Sequence, residues 1–200
     1  MARLFLLSPA NLNGVRAKQL TSGKAQFALA KMYRSPEGVR VEDAFAFMSA
    51  LYFRGKIAYA KRFAVPPVSL HESGVFVIAP GYGLVPAGWT LDAERMKKLR
   101  RTSIDLKISS YRRPLEKEAE KLLPHLADAD SVVLLGSIAT GKYVDILWPI
   151  FGDRLLFPTI FVGIGDMSRG ALMLRAAQSG EELQYSTLDV PRHRKRVQKD

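Results

Sequence analysis

Four short apolar runs punctuate the chain: Leu4–Leu7, Val75–Ile78, Val132–Leu135 and Leu155–Val162. Their character is continuous rather than alternating, as expected of strands covered on both faces of a sheet. Between them the apolar spacing turns helical. It predicts helices from Asn13 or Gly14 to Leu20, over Ala25–Tyr33, Val41–Phe63, Leu91–Arg101 and Lys142–Phe151, and over Leu172–Ala177. Val41–Phe63 reads as one long helix or two abutting ones, with Gly55 marking a bend or the junction. Pro114 is placed to open a further helix running to Leu123, with Pro124 ending it. Pro66–Gly74 is a polar, proline-containing connector, and no internal repeat is present.

Strands alternating with helices predict an α/β fold: a single domain with a central, mostly parallel four-stranded sheet and helices on both faces. The domain is expected over residues 1–190, with 191–200 a basic tail. In such a sheet the loops Ser8–Gly14, Ala79–Gly88, Gly136–Gly141 and Gly163–Gly170 share one edge. Small and polar residues there let backbone approach a ligand closely.

Composition narrows this picture. Two hundred residues, 48% of them hydrophobic, suffice for one sizeable core. Cysteine is absent, which excludes disulfides and thiolate chemistry and fits a reducing compartment. No apolar run reaches the roughly 18 residues of a membrane span, and Leu4–Leu7 is shorter than the roughly 7–15 residues of a signal core. A cytoplasmic location with no membrane partner is therefore expected. The net charge of +11 and a pI near 10.0 point to a polyanionic partner, DNA or possibly RNA. Five Lys or Arg against one Asp lie in 191–200, which still leaves about +7 on the rest. No cofactor and no metal site is expected, and the sequence leaves the oligomeric state open.

Several residues carry candidate chemistry. Ser8, Asn11 and Asn13 follow the first apolar run, where they are turn and cap formers or contacts for a base edge or a water. Arg54 and Lys56 lie among Tyr52, Phe53 and Tyr59, a pattern that suits phosphates and stacked bases, or else a solvated face over core aromatics. Tyr82 sits in a glycine- and proline-rich turn. Lys97, Lys98, Arg100 and Arg101 either meet a polyanion or complement a helix C-terminus. The run from Gly136 to Gly141-Lys142 matches the phosphate-binding GxxxxGK pattern, but Tyr143 stands where magnesium needs Ser or Thr. A helix N-terminus holding a lone phosphate is the reading that survives.

Taken together, LFLLSPANLNG, VFVIAPGYGLVPAG, VVLLGSIATGKY and LLFPTIFVGIGDMSRG resemble, in order and texture, the four strand–loop motifs of the uracil-DNA glycosylase superfamily. The outline is also similar to that of YaaA-like stress proteins, which bind DNA. The resemblance implies excision of a damaged or modified base flipped from DNA. Asn11 or Asp166 would then position water at the sugar C1′, while Tyr82 or Phe161 stacks on the base. Ser137, Gly136 and Gly163 would hold phosphate, alongside Lys142, Ser168 and Arg169. The chain departs from the family at the pocket Asn, whose place falls near Ala79, and at the electrophilic His, replaced within Phe161–Gly163. A non-catalytic DNA-binding domain on the same scaffold is the competing expectation, and a phosphate or nucleotide site at Gly136–Lys142 the third.

Overall fold

The computed structural model describes residues 1–187; the basic tail and the expected domain end at 190 lie outside the described residues. The chain forms an α/β structure around a mixed six-stranded sheet. Its strands are β1 (Arg3–Leu7), β3 (Val75–Ala79), β4 (Gly83–Pro86), β6 (Ser131–Leu135), β7 (Leu155–Pro158) and β8 (Tyr185–Thr187), in the order β4-β3-β1-β6-β7-β8. A separate antiparallel pair joins β2 (Val39–Arg40) to β5 (Thr90–Leu91). The central strands β3, β1, β6 and β7 run parallel, with Leu7 opposite both Val77 and Leu135.

Two edge strands correct the expected count of four. The glycine-rich segment after β3 folds back as a hairpin, with β4 pairing antiparallel to it. β8 pairs antiparallel with β7. Both strands are short and only partly apolar, so no four-residue apolar run announces them. β8 is held by tertiary polar contacts instead. The Tyr59 and Tyr185 hydroxyls lie 2.6 Å apart, the Leu183 N–H donates to Tyr59 Oη at 2.8 Å, and Arg3 pairs with Glu182.

Alternate strand residues bury two separate cores. Phe5 and Leu7 face one with helices α1 (Val15–Thr21), α2 (Ala28–Arg34), α3 (Val41–Phe63), α4 (Ala93–Arg101) and α7 (Asp166–Ser179). Leu4 and Leu6 face the other with α5 (Ser109–Glu120) and α6 (Val144–Phe151). Helices thus cover both faces, which explains the uninterrupted apolar strands. Among the described residues no helix is long and apolar enough to cross a membrane.

Several expected boundaries move. The fourth strand ends at Pro158, and Thr159–Phe161 form a 3-10 turn instead of continuing to Val162. α7 begins at Asp166, so most of the expected loop Gly163–Gly170 is its first turn and a half. α5 begins at Ser109, with Pro114 inside it rather than opening it. The break in α3 falls at Ala50 (φ 44°, ψ −121°), not at Gly55. Gly55 serves packing: α3 and α7 cross so closely that a Cβ on Gly55 would lie 2.4 Å from the Gly170 carbonyl oxygen.

Candidate functional site

Parallel strands bring their C-terminal loops to one edge, and the chain splits between β1 and β6. The segment after β1 leads into α1 on one face, whereas that after β6 leads into α6 on the other. Loops diverging from adjacent strands leave a crevice, the usual ligand position in an open α/β sheet. A cavity of about 310 Å³ lies there. Ser8, Pro9, Ala10 and Asn11 line it from the first loop, Ser137, Lys142 and Tyr143 from the second. Ser49 and Tyr52 enter from α3, Asp166 from α7, and Ile104 from the connection between α4 and α5.

Local structure fixes these walls. The Ser8 N–H donates to the Leu135 carbonyl at 3.1 Å, adding one rung to the β1–β6 ladder. Gly136 faces it closely: a Cβ there would sit 3.0 Å from Ser8 Cβ, tighter than an ordinary contact. Asn11 makes a turn in which its Oδ1 accepts from the Asn13 N–H at 3.0 Å, and its own N–H donates to Ser49 Oγ at 3.3 Å. Ser49 and Tyr52 flank the break at Ala50, whose positive φ is a strained conformation for alanine, and both reach the cavity.

Behind the wall lies Lys56, 1% exposed. Its ammonium donates to the Ser8 carbonyl at 2.7 Å and to Ser8 Oγ at 2.9 Å. It also stands 4.2 Å from the centroid of the Tyr52 ring and 5.0 Å from that of Phe53. No carboxylate pairs with it among the described residues. Burial therefore dominates and pushes its pKa down to about 7, against a partial upward pull from Asp166, with Arg169 adding to the depression. The Tyr52 and Tyr143 hydroxyls are held above the usual phenol range, mainly by burial and further by Asp166.

The cavity gathers Asn11, Asp166, Ser8, Ser137 and Lys142 from the expected site, with Gly136 directly behind Ser8. Other expected residues fall elsewhere. Phe161 is 4% exposed in the core and cannot meet a base. Tyr82 packs 4.9 Å from Trp89 and beneath Lys98, away from the lining. Arg169 turns back, donating from Nε and Nη2 to the Phe161 carbonyl, with Nη1 3.5 Å from Asp166 Oδ1. Asn13, Gly163, Ser168 and Arg54 are exposed outside the lining. Lys56, expected on a cationic outer face, is buried. The spacing of four residues between Tyr52 and Lys56 on one helix was the signal that both look the same way. Tyr143 enters beside Lys142 from the GxxxxGK loop, whereas Ile104 enters through packing alone, and no local pattern marked it.

Comparison of the chain with protein-family models, curated proteins and solved structures finds no match.

Proposed function

We propose that the protein acts on nucleic acid in the cytoplasm as a glycosylase-like enzyme, cleaving the N-glycosidic bond of one damaged or modified nucleotide drawn into the cavity. The observation that carries this reading is the cavity itself. It opens at the split between β1 and β6, has the size of one base with its sugar, and holds Asn11 and Asp166 together. Extrusion of a base into such a pocket exposes C1′ to water. Asp166 takes the proton from that water, and the Asn11 amide orients it. Tyr52 and Tyr143 supply the aromatic walls first expected of Tyr82 and Phe161. The four parallel strands, with their loops on one edge, agree with the uracil-DNA glycosylase resemblance. The phosphate backbone is met by α4, where Lys97, Lys98, Arg100 and Arg101 precede the cavity-lining Ile104.

One observation favours a non-catalytic nucleic-acid binder on the same scaffold: the Asn11 side-chain oxygen is already engaged by Asn13. Incubation with single strands and duplexes carrying a panel of altered bases, followed by detection of abasic sites, separates the two. Excision is expected with at least one base, falling about 100-fold or more in Asp166→Asn and Asn11→Ala. Salt-sensitive binding without cleavage of any base leaves the binder. Absence of binding at low salt defeats both and turns attention to mononucleotides at Gly136–Lys142.

A further inference from the structure

The excision step leaves one chemical need unmet. A departing base carries negative charge on the ring nitrogen that held the sugar, and a donor in the cavity wall must neutralise it. The histidine that the family resemblance would place there is absent. We propose that Ser8 and Lys56 form a proton relay into the cavity, through which the departing base is protonated. The proposal rests on the excision reading above.

The geometry assigns each atom a part. Ser8 Oγ belongs to a cavity-lining residue, and its own donation to the Leu135 carbonyl spans 3.3 Å, a long bond that is easily given up. Lys56 Nζ lies 2.9 Å behind that oxygen in a residue only 1% exposed, so its contact with the cavity runs through Ser8. As the C1′–N bond breaks, its electron pair stays on the base, which takes the Ser8 hydroxyl proton. Ser8 Oγ takes a proton from the Lys56 ammonium and is restored, leaving a neutral amine. Water adds its oxygen to C1′ and gives its proton to Asp166, which releases it to solvent; a proton from the open cavity then returns to Lys56 through Ser8 Oγ. Ser8 is the catalytic residue of this relay; Lys56 acts through it and is a positioning residue.

An ammonium paired with a carboxylate would hold its proton too tightly for this step. Lys56 instead faces Ser8 from the first loop and Tyr52 on its own helix, with Tyr143 beyond. From α7 it feels the opposed charges of Asp166 and Arg169. Its resulting affinity for the proton, with a midpoint of about 7, lets it give one up near neutrality. The second hydrogen bond, to the Ser8 carbonyl at 2.7 Å, keeps the amine in line when the charge is gone.

Two measurements on the full chain test the relay. In the first, the side-chain resonances of Lys56 are followed against pH. In the second, the single-turnover excision rate is followed against pH in the wild type, Ser8→Ala, Lys56→Met and Lys56→Arg. Lys56 is expected to titrate near neutrality, and the wild-type rate to fall as pH rises through that midpoint. Ser8→Ala and Lys56→Met should each lose about 100-fold in rate, and with it this limb of the profile. Lys56→Arg, which keeps the charge but cannot release the proton, should bind nucleic acid normally and fail to restore the rate. An active wild type whose Ser8→Ala variant keeps both rate and limb overturns the relay and spares the excision reading. A wild type inactive on every base removes the excision reading and the relay with it. A Lys56 that stays charged to pH 9 overturns the relay whatever the rates.

Discussion

Lys56 holds an amine where solvent does not reach, and its cost to the fold depends on pH. The unfolded chain protonates this lysine below 10.5, the folded chain only below about 7. Between those values the unfolded state binds more protons, so raising the pH stabilises the fold. The penalty is full below pH 7 and gone above 10.5, at most roughly 5 kcal/mol. Urea unfolding of the wild type and of Lys56→Met over this window should show the wild type gaining stability relative to the variant as pH rises. Parallel curves for the two proteins would place the charge elsewhere. The same residue measures what a sequence leaves unsaid. Basic residues interleaved with aromatics fit an exposed binding face as well as a buried one; the choice depends on which side of α3 meets β1, and that is set by packing.

At the scale of elements, the crossing of α3 and α7 positions the site. It carries Tyr52 and Asp166 to the cavity and depends on two glycines meeting back to back. A Cβ at Gly170 would lie 2.7 Å from the Leu51 carbonyl oxygen and 2.8 Å from Tyr52 Cα, both backbone atoms that cannot swing aside. Gly170→Ala is therefore expected to destabilise the protein by about 2–3 kcal/mol, read as a lowered urea midpoint, and to weaken nucleic-acid binding by displacing Tyr52. An unchanged midpoint would mean that the helices separate freely. Gly55 and Gly170 were both visible in the sequence, one as a bend and the other as the end of a loop. Their meeting was not, because they lie 115 positions apart and only the fold joins them. The break at Ala50 was equally hidden: alanine favours helix, and the strain there is imposed by the surroundings.

At the scale of the whole molecule, the proposed nucleic-acid partner is tested through charge. α4 presents Lys97, Lys98, Arg100 and Arg101, none of them in an ion pair among the described residues. Replacing all four by Gln should weaken nucleic-acid binding and lower the slope of log affinity against log salt by about 0.7–0.9 for each phosphate no longer neutralised. Equal slopes for variant and wild type would place the binding surface on another face.

The amino-acid sequence by itself determined the class of fold, the parallel strands and the edge where the loops that follow them gather. Continuous apolar runs have one stable environment, and loops rich in small residues follow them. It determined the excess of positive charge as well, since charge is a sum over residues. Tertiary structure alone decided the two edge strands, the start of α7, the cavity and the residues that line it. Each of these depends on contacts between distant segments, where a residue's spacing along the chain says little about what it touches. Lys56 is the clearest case: its lowered proton affinity comes from burial with no carboxylate paired to it among the described residues, and neither is written in its neighbours in sequence.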